Sequence, residues 1–139
     1  MTVVIKDTSG NTLYTSTATS WKVAVLEAVR ANINFMYVDL NGQNIRGLVL
    51  NSAIMTYADL HNADLRRCDF HQARLDHANL AGANARDSNF HMANLTHANL
   101  SSTDFSYADL SYTDLRLSTK PGIIYDHAET HGMAVGSLP

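Results

Sequence analysis

The chain has 139 residues, of which 45% are hydrophobic and 17% are charged, and this composition is typical of one globular domain rather than a disordered segment. The formal net charge of −3 excludes both a polybasic nucleic-acid binder and a strongly acidic protein. The single cysteine, Cys68, excludes an intrachain disulfide and fits a reducing compartment. The N-terminal residues show neither a signal peptide nor an apolar run long enough to span a membrane, so we expect a cytoplasmic protein.

Residues 1–32 predict a small N-terminal unit. Alternating apolar residues on either side of a turn at 7–11 indicate a β-hairpin over residues 3–15. Ser20 then stands at an N-cap position before a helix predicted over residues 21–31. The apolar stripe of that helix consists of Trp21, Ala24, Val25 and Ala28, widened by Leu26 and Val29.

Residues 33–117 repeat with a period of five, and the register holds over seventeen units without an insertion. One position of each unit, called i here, carries a large apolar residue in nearly every case. The i residues are Phe35, Leu40, Ile45, Leu50, Met55, Leu60, Leu65, Phe70, Leu75, Leu80, Ala85, Phe90, Leu95, Leu100, Phe105, Leu110 and Leu115. Position i−2 is mostly small and position i−1 is usually Asp or Asn. A period of five fits neither a helical face nor a strand face, so it indicates a chain that bends once per unit and points i−2 and i inward.

Runs such as Ala58-Asp59-Leu60-His61-Asn62-Ala63-Asp64-Leu65 carry the motif A-(D/N)-L-x-x, and over 85 of 139 residues the chain resembles the pentapeptide-repeat proteins. The resemblance implies an all-β fold, a right-handed quadrilateral β-solenoid with four units, or twenty residues, in each coil. About four coils are then expected. Residues twenty apart should stack at roughly 4.8 Å, the usual distance between β-strands, with the i residues forming the core.

The pattern breaks in the first coil. Gln43 and Leu48 occupy positions that are small elsewhere, and Val49 and Ile54 occupy positions that elsewhere carry Asp, Asn or Arg74. Exposed apolar residues of this kind usually mark an interface, and a solenoid end needs a cap. We therefore expect the N-terminal hairpin and helix to fold onto the first coil and to cover its irregular side. Residues 118–139 are expected to form a C-terminal capping segment or a mobile tail.

Stacking at twenty residues also arranges the outward residues in columns. Arg46, Arg66 and Arg86 form one column with Arg67 beside it, and Tyr37, Tyr57, His77 and His97 form another. An ordinary solvated surface is one interpretation of both. The alternatives are an anion-binding stripe on the arginines and a metal site on the histidines, although metal sites need three or four convergent ligands. His71 and His91 form a further pair.

The sequence contains no nucleophile–base arrangement, no phosphate-binding glycine loop and no acid pair, and a filled solenoid leaves no pocket. We therefore expect a protein without enzymatic activity or cofactor that presents its solenoid faces to a protein partner, as a monomer or as a homodimer through a solenoid end. The resemblance implies one alternative, since a branch of the family mimics B-DNA, binds type II topoisomerases such as DNA gyrase and confers fluoroquinolone resistance. DNA carries one negative charge per about 1.7 Å, whereas residues 33–117 hold nine Asp and six Arg, a net of three negative charges. This shortfall disfavours DNA mimicry, and no direct contact with nucleic acid or membrane is expected.

Overall fold

The computed structural model describes residues 2–136, which form a β-solenoid preceded by a hairpin and one helix. The hairpin consists of β1 (Val3–Asp7) and β2 (Thr12–Ser16), and it is followed by α1 (Trp21–Arg30) and the short strand β3 (Val38–Asp39). From Asp39 to Ala134, parallel β-bridges join residues twenty positions apart, once in every five residues. The predicted β-solenoid is therefore confirmed.

Each coil is held by backbone hydrogen bonds to the coils on either side of it. Leu60 shows the pattern, because its N–H donates to the carbonyl of Asn79 at 2.8 Å, and the N–H of Asn79 donates back to Ala58 at 2.9 Å. A third bond runs at the corner, where Asn62 N–H donates to the Ala81 carbonyl at 2.9 Å. The same three bonds recur around every inner coil, so most backbone groups have their partner in an adjacent coil.

The core lies inside the coils and consists of the i residues with the small i−2 residues between them. All seventeen i residues from Phe35 to Leu115 are buried, with at most 3% of any of them exposed. Phe70 stacks on Phe90 with ring centroids 4.8 Å apart, and Phe105 turns its ring edge toward Phe90 at 5.2 Å. Phe105 follows Ala85 in its own column, and its large side chain reaches the neighbouring column in this way.

A few i−2 positions carry a hydroxyl or a thiol in place of alanine. Thr103 and Thr113 each donate a hydrogen bond of 2.8 Å to a backbone carbonyl of the preceding coil, at Leu80 and Phe90. The thiol of Cys68 donates in the same way to the Ile45 carbonyl at 3.2 Å. Burial raises the pKa of the Cys68 thiol to about 11, which keeps the thiol protonated and unreactive near neutral pH.

The corners combine a left-handed residue with a side-chain hydrogen bond. The second corner residue of every unit from Tyr37 to Gly132 has a positive φ, between 56° and 76°, although most of these residues are not glycine. Just before the corner, the Asp or Asn at i−1 accepts a hydrogen bond from the N–H two residues later, as Asp59 does from His61 at 3.1 Å. Asn79, Asn99 and Asp109 accept in the same way from Ala81, Ser101 and Ser111. Asp and Asn therefore close the turns, a local role that suits their short polar side chains.

The N-terminal unit joins the solenoid in two ways. Strand β1 pairs antiparallel with β2 and also with β3, with Lys6 opposite Asp39 and Asp7 opposite Val38. Helix α1 begins after Ser20, whose hydroxyl accepts from Val23 N–H at 3.3 Å. The helix buries Ala24, Val25 and Ala28, which belong to the same hydrophobic cluster as the solenoid core.

The β-ladder extends past residue 117, where the repeat pattern ends. Thr119, Ile124, Glu129 and Ala134 form parallel bridges with residues of the preceding coil, so residues 118–136 form a further coil where the sequence predicts a cap or a mobile tail. The pattern misses this coil because three of its four i positions carry Lys120, Tyr125 and Thr130, which are not typical core residues. Backbone pairing with the coil before it does not depend on those side chains.

Core packing gives a direct stability prediction at Leu80. Replacing Leu80 with Ala should lower the free energy of unfolding by about 2–5 kcal/mol, because it leaves a cavity between two coils. Ala78→Lys should cost more, since it places an unpaired charge at a buried position. Leu117, whose side chain is 72% exposed, provides the control, and Leu117→Ala should change stability by less than about 0.5 kcal/mol. Denaturant unfolding measures all three, and equal effects of Leu80→Ala and Leu117→Ala would contradict the core assignment.

Candidate interaction surfaces

The predicted column of aromatic and imidazole side chains forms a continuous stack along one corner of the solenoid, named the ring ladder here. Ring centroids lie 4.9 Å apart between Tyr37 and Tyr57, 4.7 Å between Tyr57 and His77, and 4.6 Å between His77 and His97. Neighbouring rings are within 15° of parallel. All four residues occupy the left-handed corner position, so their backbone is fixed and the ring edges face solvent. The two tyrosines are each more than 40% exposed.

Two arginines of the predicted column, Arg66 and Arg86, are paired with carboxylates. Arg66 donates through Nε and Nη2 to both oxygens of Asp64, at 2.8 and 2.6 Å. Arg86 Nη1 lies 3.3 Å from Asp104 Oδ2, and its guanidinium lies 5.4 Å from the ring centroid of Tyr107. The residues twenty and forty positions after Arg86 are Ser106 and Asp126. The column therefore does not bring three free guanidinium groups together, and this weakens the anion-binding interpretation.

These pairs shift the pKa of the carboxylates. The hydrogen bond from Arg66 lowers the pKa of Asp64 from its ordinary value, and the partial burial of Asp64 opposes this only in part. The hydrogen bond from Arg116 lowers the pKa of Asp114 in the same way. Burial of Asp104 raises its pKa, but hydrogen bonds from Ser106 and Arg86 outweigh that effect and the net shift is downward. The three carboxylates therefore stay charged and hold their arginines.

Three of the remaining histidines, His71, His91 and His127, also stack with other rings. His71 stacks on His91 at 5.3 Å, and Tyr107 stacks on His127 at 5.0 Å. Within residues 2–136, no three His, Cys, Asp or Glu side chains converge in a way that could hold a metal ion. The geometry therefore provides pairs of rings where a metal site would need a third ligand.

The irregular side of the first coil is not covered by the N-terminal unit, and this expectation from the sequence was wrong. Val49 and Ile54 remain 55% and 40% exposed. Helix α1 buries Ala24, Val25 and Ala28 within the core cluster, and its C-terminal end borders Val49 and Ile54 without burying them. Four further large side chains are exposed lower on the solenoid: Met92 at 51%, Tyr107 at 53%, Tyr112 at 54% and Leu117 at 72%. These residues occupy the second corner position of their units. Because that position faces solvent in every unit, the repeat pattern itself is the signal that could have identified them.

The repeat and its geometry agree with a comparison against protein families. The family model described as pentapeptide repeats matches residues 33–72, 64–101 and 93–119. The chain belongs to the pentapeptide repeat family. No curated protein matches the chain significantly.

Several solved pentapeptide repeat structures are similar to this chain. One from the cyanobacterium Cyanothece 51142 is 30% identical, with a TM-score of 0.44, over 63% of this chain and 64% of that one. One from the thylakoid lumen of Arabidopsis thaliana is 24% identical, with a TM-score of 0.42, over 69% of this chain and 63% of that one. The plasmid-mediated fluoroquinolone resistance protein QnrB1 is 14% identical, with a TM-score of 0.33, over 68% of this chain and 67% of that one. The chain thus spans less than two thirds of the length of the first two.

Among residues 2–136, no helix has the length and apolar character that crossing a membrane requires.

The carboxylate pKa shifts predict loss of stability in acid. Asp64, Asp104 and Asp114 have lower pKa values in the folded chain than their ordinary values. A depressed pKa stabilises the folded state above the unfolded pKa of about 4, and that contribution is lost as the pH falls through the folded value. Urea unfolding between pH 6 and pH 2 should therefore show stability falling below about pH 4.

The Asp64→Asn variant should show a shallower fall in acid. Asparagine at residue 64 keeps the oxygen that accepts from Arg66 N–H but carries no charge, so the variant isolates the titration from the turn. Identical acid profiles for the variant and the original chain would contradict a contribution from Asp64.

Proposed function

We propose that this pentapeptide repeat protein is a non-enzymatic interaction module, and that the ring ladder of Tyr37, Tyr57, His77 and His97 binds a protein partner. The observation that supports it is the ladder itself, a row of four rings held parallel at 4.6–4.9 Å on a rigid corner. Exposed aromatic rings contribute much of the energy of protein interfaces. Because stacking already fixes these rings, binding costs little side-chain entropy.

The interior of the solenoid favours a protein that binds partners on its outer faces over one that carries out catalysis in its interior. Every buried side-chain nitrogen and oxygen atom in residues 2–136 has a hydrogen-bond partner, so no polar group there is left free to act on a substrate. Carboxylates at i−1 are similarly occupied, because Asp59, Asp69 and Asp109 each accept a hydrogen bond from their own corner. These features fit a scaffold whose faces are its binding surfaces.

DNA mimicry and binding to a type II topoisomerase form the alternative function. The paired arginines count against it, since Arg66, Arg86 and Arg116 each neutralise an aspartate on the solenoid surface. A mimic about 20 Å long would need about twelve negative charges, while residues 33–117 have a net of three.

The ring ladder can be tested with a matched pair of variants. His77→Asn with His97→Asn removes half of the ladder, and asparagine tolerates the left-handed corner. His71→Asn with His91→Asn removes an equivalent stacked pair at another corner. After partners have been captured from lysate by photo-crosslinking, we expect the first variant to bind the captured partner at least tenfold more weakly and the second to bind it normally.

Two outcomes would contradict this assignment. Equal binding by both variants would show that the ring ladder is not the contact surface. Strong inhibition of DNA gyrase supercoiling, weakening steeply with added salt, would instead support the DNA-mimic alternative.

We further propose that the hairpin and helix α1 act as the cap of the solenoid, and that the coils bearing the pattern, about four over residues 33–117, depend on it. Two substitutions on the same helix test this. Val25 is fully buried and Val23 is 42% exposed. Val25→Asp should cost roughly 3–5 kcal/mol, the usual penalty of an unpaired buried charge, and should cause aggregation by exposing the coil end. Val23→Asp should leave the chain monomeric. Light scattering and thermal melting distinguish the two, and a stable monomeric Val25→Asp variant would show that α1 is not a cap.

A further inference from the structure

The first coil has a groove at its N-terminal edge that the repeat pattern does not explain. It has a volume of about 330 Å³. One wall is the end of helix α1 and the segment after it, and the other wall is the outer side of the first coil. The apolar residues that line it are Val29, Ile33, Phe35, Val49, Leu50, Ala53 and Ile54.

Val49 and Ile54 make this groove apolar on its outer side. They stand at i−1, where the coils over residues 59–114 carry Asp or Asn, with Arg74 as the exception. Elsewhere this position accepts the corner hydrogen bond, as Asp69 does from His71 N–H at 3.0 Å directly below Val49. An aliphatic side chain gives up that bond and leaves apolar surface in water. An aliphatic residue in place of Asp or Asn at this position therefore lowers the stability of the folded state, and contact with a ligand would offset that loss.

The backbone at the same place forms an open β-edge. In the inner coils, the N–H of an i−1 residue donates to the preceding coil, as Asp69 N–H does to Leu48 at 2.9 Å. The N–H and C=O groups of Val49 and Ile54 that point away from the second coil have no backbone partner within residues 2–136. Open edges of this kind accept an added strand.

The chain already uses strand addition on this coil. On the face of Asp39, which is next to that of Ile54 and opposite that of Val49, β1 pairs antiparallel with β3 of the first coil through Lys6 with Asp39 and Asp7 with Val38. The N–H of Thr8 also donates to the Tyr37 carbonyl at 2.8 Å. The edge at Val49 and Ile54 continues the edge that β1 occupies, so the same coil holds one strand from its own chain and leaves room for another.

The charges around the groove indicate what flanks the added strand. Arg74 lies directly below Ile54 in the ladder, its side chain is 58% exposed, and its nearest carboxylate, Asp76, is 3.8 Å away. Arg30 follows Val29 at the end of α1 and is also exposed. Both cations favour an acidic residue beside the apolar ones.

The size of the groove selects a peptide over a second copy of the chain. A stable dimer usually buries about 1,200–2,000 Å² in total, which is far more than two exposed aliphatic side chains and their neighbours provide. A groove of this volume fits a few residues of extended chain. We propose that the open edge at Val49 and Ile54 binds an extended apolar peptide segment with an acidic flank, supplied by a partner protein, which pairs with the open backbone groups of the first coil on both sides of the corner at Ser52. This proposal rests on the proposed function only in that both require a protein partner. The contact surfaces differ, because the peptide binds the coil edge and not the ring ladder.

The test begins with a phage-displayed library of random linear ten-residue peptides selected against the full chain. We expect enrichment of sequences with alternating apolar residues and at least one Asp or Glu. A synthetic copy of an enriched peptide should slow amide hydrogen exchange at Val49 and Ile54. The same peptide with N-methylated backbone nitrogens should bind at least tenfold more weakly, because it cannot pair as a strand.

Variants of the chain then locate the site. Val49→Asp with Ile54→Asn restores the residue types of the other coils at exposed positions, so the fold should be kept while peptide binding falls at least tenfold. Met92→Asn removes an exposed apolar side chain elsewhere and should bind normally. His77→Asn with His97→Asn should also bind the peptide normally, which separates this proposal from the ring ladder.

Three results would overturn the proposal. The first is a library without enrichment against the full chain. The second is undiminished binding by the Val49→Asp, Ile54→Asn variant. The third is self-association of the chain that this variant abolishes in the absence of any peptide binding, since a second copy would then be the occupant.

Discussion

The fold depends on one constraint, that most backbone hydrogen bonds of each coil are made to other coils. Leu60 and Asn79 illustrate it, because the backbone N–H of each donates to a residue about one coil away. A single coil would leave most of its backbone without partners and would expose both ends of its core. Stability therefore comes from the stack, as it does in other repeat proteins, where neighbouring repeats stabilise each other. The same constraint explains why residues 118–136 can join the solenoid with Lys120 and Thr130 at two of their i positions.

The corners follow from that constraint. Stacking requires each coil to have the same outline, so every unit must turn by the same amount at the same place. A left-handed residue at the second corner position provides the turn, although it costs a non-glycine residue roughly 1 kcal/mol or more. The hydrogen bond from the corner N–H to Asp or Asn at i−1 offsets part of this cost. Corner residues also stack with their counterparts in the next coil. The ring ladder results from this arrangement, because Tyr37, Tyr57 and His77 occupy the same corner position in successive coils.

The sequence predicts the repeat, the buried residues and the columns because each depends only on a fixed period. Once residues twenty apart are known to stack, the contacts of Phe70 with Phe90 and of His77 with His97 follow from counting. The features that the sequence did not predict depend on where a polar side chain points or on backbone pairing alone. Asp59 and its equivalents look like solvent-facing residues, but they accept hydrogen bonds from the chain itself. The last coil is held by backbone pairing that no side-chain pattern reports. Helix α1 borders Val49 and Ile54 without covering them, and the repeat pattern does not specify how a helix outside the repeats will pack.

Irregular positions carry the information about function in a protein of this kind. A regular solenoid specifies its own fold so strongly that most surface residues are explained by turns and by stacking, as with Asp64, which both closes a corner and holds Arg66. A residue that satisfies neither requirement has been exchanged for some other reason. Val49 and Ile54 lose the corner hydrogen bond, remain exposed and border an unpaired backbone edge, and these three features coincide at one place on the coil. An isolated exposed aliphatic residue needs no explanation. These three features together, beside the strand that β1 already adds to the same coil, indicate a binding site.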